Sequence, residues 1–193
     1  MSSPARRLFA PAAVLAALLA TACASAPRVS TQTAPDADFS TYRTYAFYSP
    51  LAAEFQGYAT PDSERMKAAA RQQLDARGYT YSESAPDLLV NIDAQLQNRE
   101  DVFSSPQLQQ RIYYSTFDRG YITSAYWVPR NEVHRYIEGT LNVDLVDAKA
   151  KRLVWEGTAV GRMTKVKPEE RGPRTDQAMA EIFAEYPHRA GAP

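Results

Sequence analysis

Cys23 is the only cysteine in the chain, and its surroundings specify a reaction more clearly than those of any other nucleophile. A single thiol cannot form an intramolecular disulfide, and it excludes the multi-cysteine zinc sites. His134 and His188 are the only imidazoles, and neither sits in a compact ligand motif, so both read as surface or loop residues rather than a metal or catalytic pair. Asp144 and Asp147 are three apart on an expected strand and point to opposite faces, which denies them a shared acid–base site. Asp147 reads instead as a turn former, and Glu156 as a wet-face residue opposite Asn142. Gly157 and Gly161 lie in a strand pattern, where they would admit close helix packing rather than cradle phosphate. No enzyme, cofactor or metal site is expected from this inventory.

The segment Ile112–Tyr136 carries a different chemistry. Tyr113, Tyr114, Phe117, Tyr121, Tyr126, Trp127 and Tyr136 fall within it, and Asp118-Arg119-Gly120 signals a turn. A hairpin joining Ile112–Phe117 to Tyr121–Val128 follows. Flat apolar rings with polar tips suit glycan, peptide or protein surfaces, which makes Tyr113, Tyr114, Tyr121, Tyr126 and Trp127 the candidate binding residues. Aromatics are also strong strand formers, so simple extension of the sheet is the competing reading.

The amino terminus is an address. Arg6 and Arg7 precede an apolar run from Leu8 to Leu19, and Ala20-Thr21-Ala22 places small residues directly before Cys23. The run is shorter than the roughly 20 apolar residues of a membrane span and suits the h-region of an export signal. The junction resembles a bacterial lipobox, with Ala20 where Leu is commonest. That resemblance implies cleavage after Ala22 and acylation of Cys23. Ala24, in place of the Asp associated with inner-membrane retention, implies delivery to the outer membrane. Each buried CH₂ of an acyl chain is worth about 0.8 kcal/mol, so several chains would hold the protein on a membrane. Removing residues 1–22 leaves 20 basic against 22 acidic side chains, a balance that invites neither nucleic acid nor electrostatic docking on anionic lipid.

Positioning these residues requires a folded body, and 193 residues at 45% hydrophobic and 23% charged suffice for one. Residues 23–38 read as the lipidated terminus and a flexible tether reaching up to about 50 Å. A single domain is expected over 39–187, with a disordered tail at 188–193. Tyr42–Tyr48 reads as a first strand. Thr60 caps a helix with Pro61 at its first position and Gly78 as its left-handed end. Leu88, Val90, Ile92, Ala94 and Leu96 alternate with polar residues, as do Leu141, Val143 and Leu145, and then Leu153, Trp155 and Gly157. The last two strands should pair with Leu145 opposite Leu153, Val143 opposite Trp155 and Leu141 opposite Gly157. Asp176–Tyr186 is a second helix, after a charged, mobile connector at 162–174. The fold class is α+β: an antiparallel sheet of about four to six strands with two helices on its dry face, anchored by Trp155.

Phe39-Ser40-Thr41-Tyr42-Arg43-Thr44-Tyr45-Ala46-Phe47, Arg77-Gly78-Tyr79 and Pro86-Asp87-Leu88-Leu89-Val90 resemble the bacterial lipoproteins of domain-of-unknown-function family 4136. Gly139–Asp147, Leu153–Gly157 and Ile182-Phe183 with Tyr186-Pro187 extend the resemblance over most of residues 39–187. It implies an envelope lipoprotein with helices on an antiparallel sheet, and it carries no catalytic residues. The expected function is a non-enzymatic, periplasm-facing outer-membrane lipoprotein that scaffolds or binds an envelope protein. The alternative is a binding module for peptidoglycan fragments or another small envelope ligand.

Overall fold

A computed structural model describes residues 27–54, 57–163 and 166–192; the export signal and Cys23 lie outside the described residues. Six strands form one sheet: β1 (Arg28–Thr33), β2 (Thr44–Phe47), β3 (Thr80–Tyr81), β4 (Leu88–Ser115), β5 (Gly120–Asp147) and β6 (Arg152–Arg162). Their order is β1-β6-β5-β4-β2-β3. The pairs from β1 to β4 are antiparallel, whereas β2 lies parallel to both β4 and β3. The fold is therefore α+β, with a parallel corner that alternation alone did not distinguish.

Two helices cover the dry face. Helix α1 (Pro61–Asp75) begins in a capping box: the Ser63 amide donates to Thr60 Oγ1 at 3.0 Å, and the Thr60 amide donates to Ser63 Oγ at 2.9 Å. Its Met66, Ala69, Ala70 and Leu74 meet Leu88, Val90, Ile92, Val143, Leu145 and Trp155 of the sheet in one core. Helix α2 (Pro168–Ala184) adds Met179, Ile182 and Phe183. Trp155 is 1% exposed and lies edge-on to Tyr186 at 4.9 Å. A Cβ on Gly157 would come within 2.5 Å of Ile182 Cγ2 and of the Trp155 ring, so this glycine lets α2 sit down on the sheet. Gly161 serves differently: Pro27, not a helix, approaches it.

Several expectations need correction. Within the tether expected at 23–38, the described residues are structured: Arg28–Thr33 pairs with β6, and Asp38 caps a 3-10 turn at Phe39–Thr41. An edge strand needs only ladder bonds, which leave no apolar alternation in its sequence. The described part of the expected disordered tail at 188–193, residues 188–192, also docks, because Ala190 and Gly191 donate backbone hydrogen bonds to Arg77 and Tyr42, and His188 stacks on Phe39 at 3.7 Å. The connector at 162–174 is helical from Pro168 onward, with Glu169 and Glu170 in the first turn where they favour the helix dipole.

The β5–β6 register is two residues from expectation. Leu145 faces Trp155, Val143 faces Gly157, Leu141 faces Ala159, and Glu156 lies opposite Asp144 rather than Asn142. Asp147 anchors the turn by accepting the Lys149 and Ala150 amides at 2.8 and 2.7 Å. Val146 then faces Leu153, and the ladder shifts so that Val154 bulges. The bulge buries Val154 beside Trp155 and turns Leu153 outward.

Asp87 holds the parallel corner. Its Oδ2 accepts the amides of Arg43 and Thr44 at 2.8 and 2.9 Å and the Thr44 hydroxyl at 3.0 Å. Burial opposes its ionisation, but the Arg43 and Thr44 amides and the Thr44 hydroxyl outweigh it and hold the carboxyl below its ordinary value. The native state thus prefers the ionised form, and this contribution is complete above the unfolded pKa of about 3.9 and lost as pH falls through the lower folded value. In acid titrations of unfolding free energy, Asp87→Asn should be less stable near neutrality by about 1.5–3 kcal/mol. Its stability should also fall less steeply than wild type below about pH 4. Gly157→Ala should cost about 1–3 kcal/mol by overpacking against Ile182 and Trp155, and lower Tm by several degrees in a thermal melt. Gly161→Ala, whose Cβ would meet Pro27 at an ordinary 3.5 Å, should melt close to wild type.

Candidate functional site

Strands β4 and β5 continue well past the body. The last β5 residue with a β6 partner is Glu138, opposite Arg162. Beyond it, Arg99–Ser115 and Gly120–Tyr136 pair only with each other, in an unbroken antiparallel ladder of 17 residues per strand. At about 3.3 Å per residue this two-stranded arm projects roughly 55 Å. Its tip is a turn at 116–119, where Ser115 Oγ lies 2.7 Å from Asp118 Oδ2 and accepts the Asp118 amide at 3.1 Å. Arg119 takes a φ of 50° there, a left-handed conformation tolerated in turns.

The ladder fixes which side chains share a face. Even residues of β4 and odd residues of β5 extend the dry face of the body into solvent. From root to tip these cross-strand rows are Val102 with Val133, Pro106 with Pro129, Leu108 with Trp127, Ile112 with Thr123 and Tyr114 with Tyr121. The only charged residues on this face are Glu100 and Arg135, which pair with each other at 2.7 Å. The opposite face mixes the charged or titratable Arg99, Asp101, Arg111, Arg130, Glu132 and His134 with Phe103, Tyr113, Ile122, Tyr126, Val128 and Tyr136. There Arg99 reaches Glu138 at 2.9 Å, while Arg162 bonds Asp101 and stacks over Tyr136 at 3.9 Å. The arm is thus a ribbon with one face nearly free of charge, and that apolar side has no cover among the described residues.

The structure contains the expected hairpin but turns it at 116–119 rather than 118–120, so that Phe117 sits in the turn, and greatly lengthens its strands. Of the five candidate binding residues, Tyr114, Tyr121 and Trp127 share the apolar face, and the rings of Tyr114 and Tyr121 meet edge-on at 5.4 Å. Tyr113 and Tyr126 point the other way, opposite Ile122 and Gln109. Tyr121 is 79% and Trp127 67% exposed, and Phe117 at the tip is 95% exposed. None of these aromatics lines either of the two clefts of the body described below. Val102, Leu108 and Val133 belong to the same face and escaped the sequence reading; what sets their parity apart is the near absence of charge, since apolar residues occur on both faces of the arm.

At the arm root a hollow of about 350 Å³ opens where the helices stop covering the sheet. Ala94, Leu96, Gly139 and Met163 contribute to its lining, and Arg171 and Arg174 of α2 stand at it. A second cleft lies against β2 and β3, where Arg71 sits over the Tyr81 ring at 4.3 Å. Tyr81 donates to Glu83 at 2.7 Å, and that bond, with burial, pushes its phenol above the ordinary value. Titratable groups elsewhere serve the fold. Burial and the bond to Asp147 push Tyr42 up to about 12, and the Ala150 amide leads the groups that hold Asp147 below its ordinary value. His134 lies on the arm beside Phe103 and His188 against Phe39, in separate surroundings, and no three potential metal ligands cluster among the described residues.

A six-stranded α+β domain with a projecting hairpin is the class that fold and site define. Residues 29–188 match the family described as a domain of unknown function (DUF4136), and the chain belongs to that family. No curated protein matches the sequence. Among solved structures, a DUF4136 family protein from Bacteroides thetaiotaomicron is similar at 14% identity and a TM-score of 0.53, with 86% of this chain and 98% of that one covered. A PDZ domain protein from Parabacteroides distasonis is similar at 14% identity and a TM-score of 0.45; 82% of this chain is covered but only 35% of that longer chain. The PelC dodecamer from Paraburkholderia phytofirmans matches at 13% identity and a TM-score of 0.45, covering 85% and 99%.

The core draws no residue from the arm. Replacing residues 102–133 by Asn-Gly, a two-residue turn between the paired Asp101 and His134, should therefore leave a cooperative thermal transition within a few degrees of wild type. Loss of the transition would show that the arm is part of the folding unit.

Proposed function

We propose that this protein is a non-enzymatic outer-membrane lipoprotein facing the periplasm, anchored through acyl chains on Cys23, which uses the arm to contact an envelope protein. The observation that carries the contact role is the uncovered apolar face of a two-stranded ribbon. Such a ribbon is marginal in water unless a third strand or another packed element supports it. The export signal and the small-residue run before Cys23 support the location, and the exposed Tyr and Trp side chains support recognition by contact rather than chemistry. A second reading, a module for peptidoglycan fragments or another small envelope ligand, draws on the hollow at the arm root, whose arginines could meet a carboxylate.

A photo-crosslinking residue at Tyr121, on the apolar face, compared in cells with and without Cys23→Ala, tests the proposal. Wild type should fractionate with the outer membrane and yield a discrete protein adduct; Cys23→Ala should lose the membrane fraction and any adduct with a foreign envelope protein. Adducts with glycan fragments would favour the ligand reading. Membrane association that survives Cys23→Ala would overturn the lipid anchor.

A further inference from the structure

We infer that the apolar face of the arm docks on the same face of a second copy of this chain, with the two arms antiparallel. The inference rests on the contact role proposed for the arm and names its partner. Four features of the arm select a second copy.

The first is charge. Glu100 and Arg135 neutralise one another, and every other charged side chain of the arm lies on the opposite face or in the turn. A stripe without net charge selects neither an acidic nor a basic partner, and a like stripe complements it. The second is area. A face roughly 55 Å long and about 10 Å wide, doubled by a partner, covers about 1,100 Å², which clears the roughly 1,000 Å² expected of a specific interface.

The third feature closes the other route to association, strand addition at the edges. The carbonyl of Ile92 accepts the Ala53 amide and that of Ile137 accepts the Met163 amide, so even residues of β4 and odd residues of β5 aim their backbone groups outward. Pro106 and Pro129 are members of these two sets and face each other across the ladder. Each deletes an outward N–H at mid-arm, one on either edge, which blunts both edges against pairing with another strand. The faces are what remain available, and of the two the uncharged one is the cheaper to desolvate.

The fourth feature sets direction. Helices α1 and α2 stand on the same side of the sheet as this face and reach the hollow at the arm root. Two parallel arms would drive their helical layers into one space. Antiparallel arms avoid this and put each tip over the partner's root. Centring the pair between Ser104 and Pro106 sets Val102 against the partner's Leu108 and Val133 against the partner's Trp127. It also lays the Glu100–Arg135 pair over the partner's Gln110 and Ala125. Tyr114 and Tyr121 then reach Leu96 and Gly139 of the partner, beside its hollow. The interface is isologous and closes as a dimer.

The test uses the full chain with Cys23→Ala, so that engineered thiols are the only ones present. Mixed Val102→Cys and Leu108→Cys proteins should be joined by a bismaleimide spanning about 10 Å, the usual spacing of stacked sheets. Val102→Cys mixed with Val133→Cys should not be joined, because that pair meets only in the parallel arrangement. Sedimentation should show a dimer at micromolar concentration. Trp127→Asp should weaken it at least about tenfold, as expected for an aromatic at the centre of an interface, with the thermal transition retained. Gln109→Asp, on the opposite face, should leave the dimer intact. A monomer at micromolar concentration overturns the inference, as does crosslinking through 102 and 133, or arm-dependent binding to phosphatidylethanolamine–phosphatidylglycerol vesicles without a dimer. A monomer that still gives a foreign protein adduct at Tyr121 overturns self-docking and spares the contact role; a monomer with no adduct defeats both.

Discussion

The unbroken ladder between β4 and β5 is the constraint on which the rest of the molecule depends. Val90 opposite Leu145 and Ile92 opposite Val143 are fixed by burial beneath the helices. Since side chains alternate strictly along a strand, this core pairing dictates the face of every residue out to the tip. A one-residue slip would expose the core and turn the arm over. The body thus acts as a clamp that holds the arm in register, although the arm contributes nothing to the body's core.

The same continuity explains the division of charge. Within the body, the wet face carries Asn91, Asp93 and Asp144, tied by bonds such as Asn91 to Asp144 at 3.1 Å. That pattern persists along the arm through the Arg99–Glu138 and Arg162–Asp101 pairs. These exposed pairs contribute little stability individually, near 0–1 kcal/mol. Their effect is on solubility and on which side remains apolar. The dry face loses its helices at the root but not its apolar residues.

Much of the body was legible because burial writes itself into residue alternation. Leu88, Val90, Ile92, Leu141, Val143 and Leu145 were placed on the dry face, and the Thr60 cap with Pro61 marked the start of α1. Elements that bury little left weaker marks. Strand β1 has only Val29 as a large apolar residue, and the first half of α2 is charged and contains Pro173, so both read as loops. The bulge at Val154 shifted the β5–β6 register through turn geometry, which the hydrophobic pattern preserves in parity but does not count. The arm was legible at its aromatic tip and illegible between Gln97 and Gln110, where polar residues alternate with few large apolar ones.

The route of the chain gives the molecule a heading. Strand β1 starts beside Val160, near the Arg162 end of β6 where the arm departs, and Pro27 rests against Gly161 at that end. The carboxy-terminal residues bind Arg77 and Tyr42, near the start of β2, which pairs with the root-distal end of β4. The chain therefore enters at the arm's base and leaves at the opposite pole. A fusion at the carboxy terminus would report from the blunt pole and an insertion at 118–119 from the extreme of the arm, so the two would bracket the body and the arm together. Whatever grips the entering chain at Pro27 also steers the arm, as a hand near the hilt steers a blade.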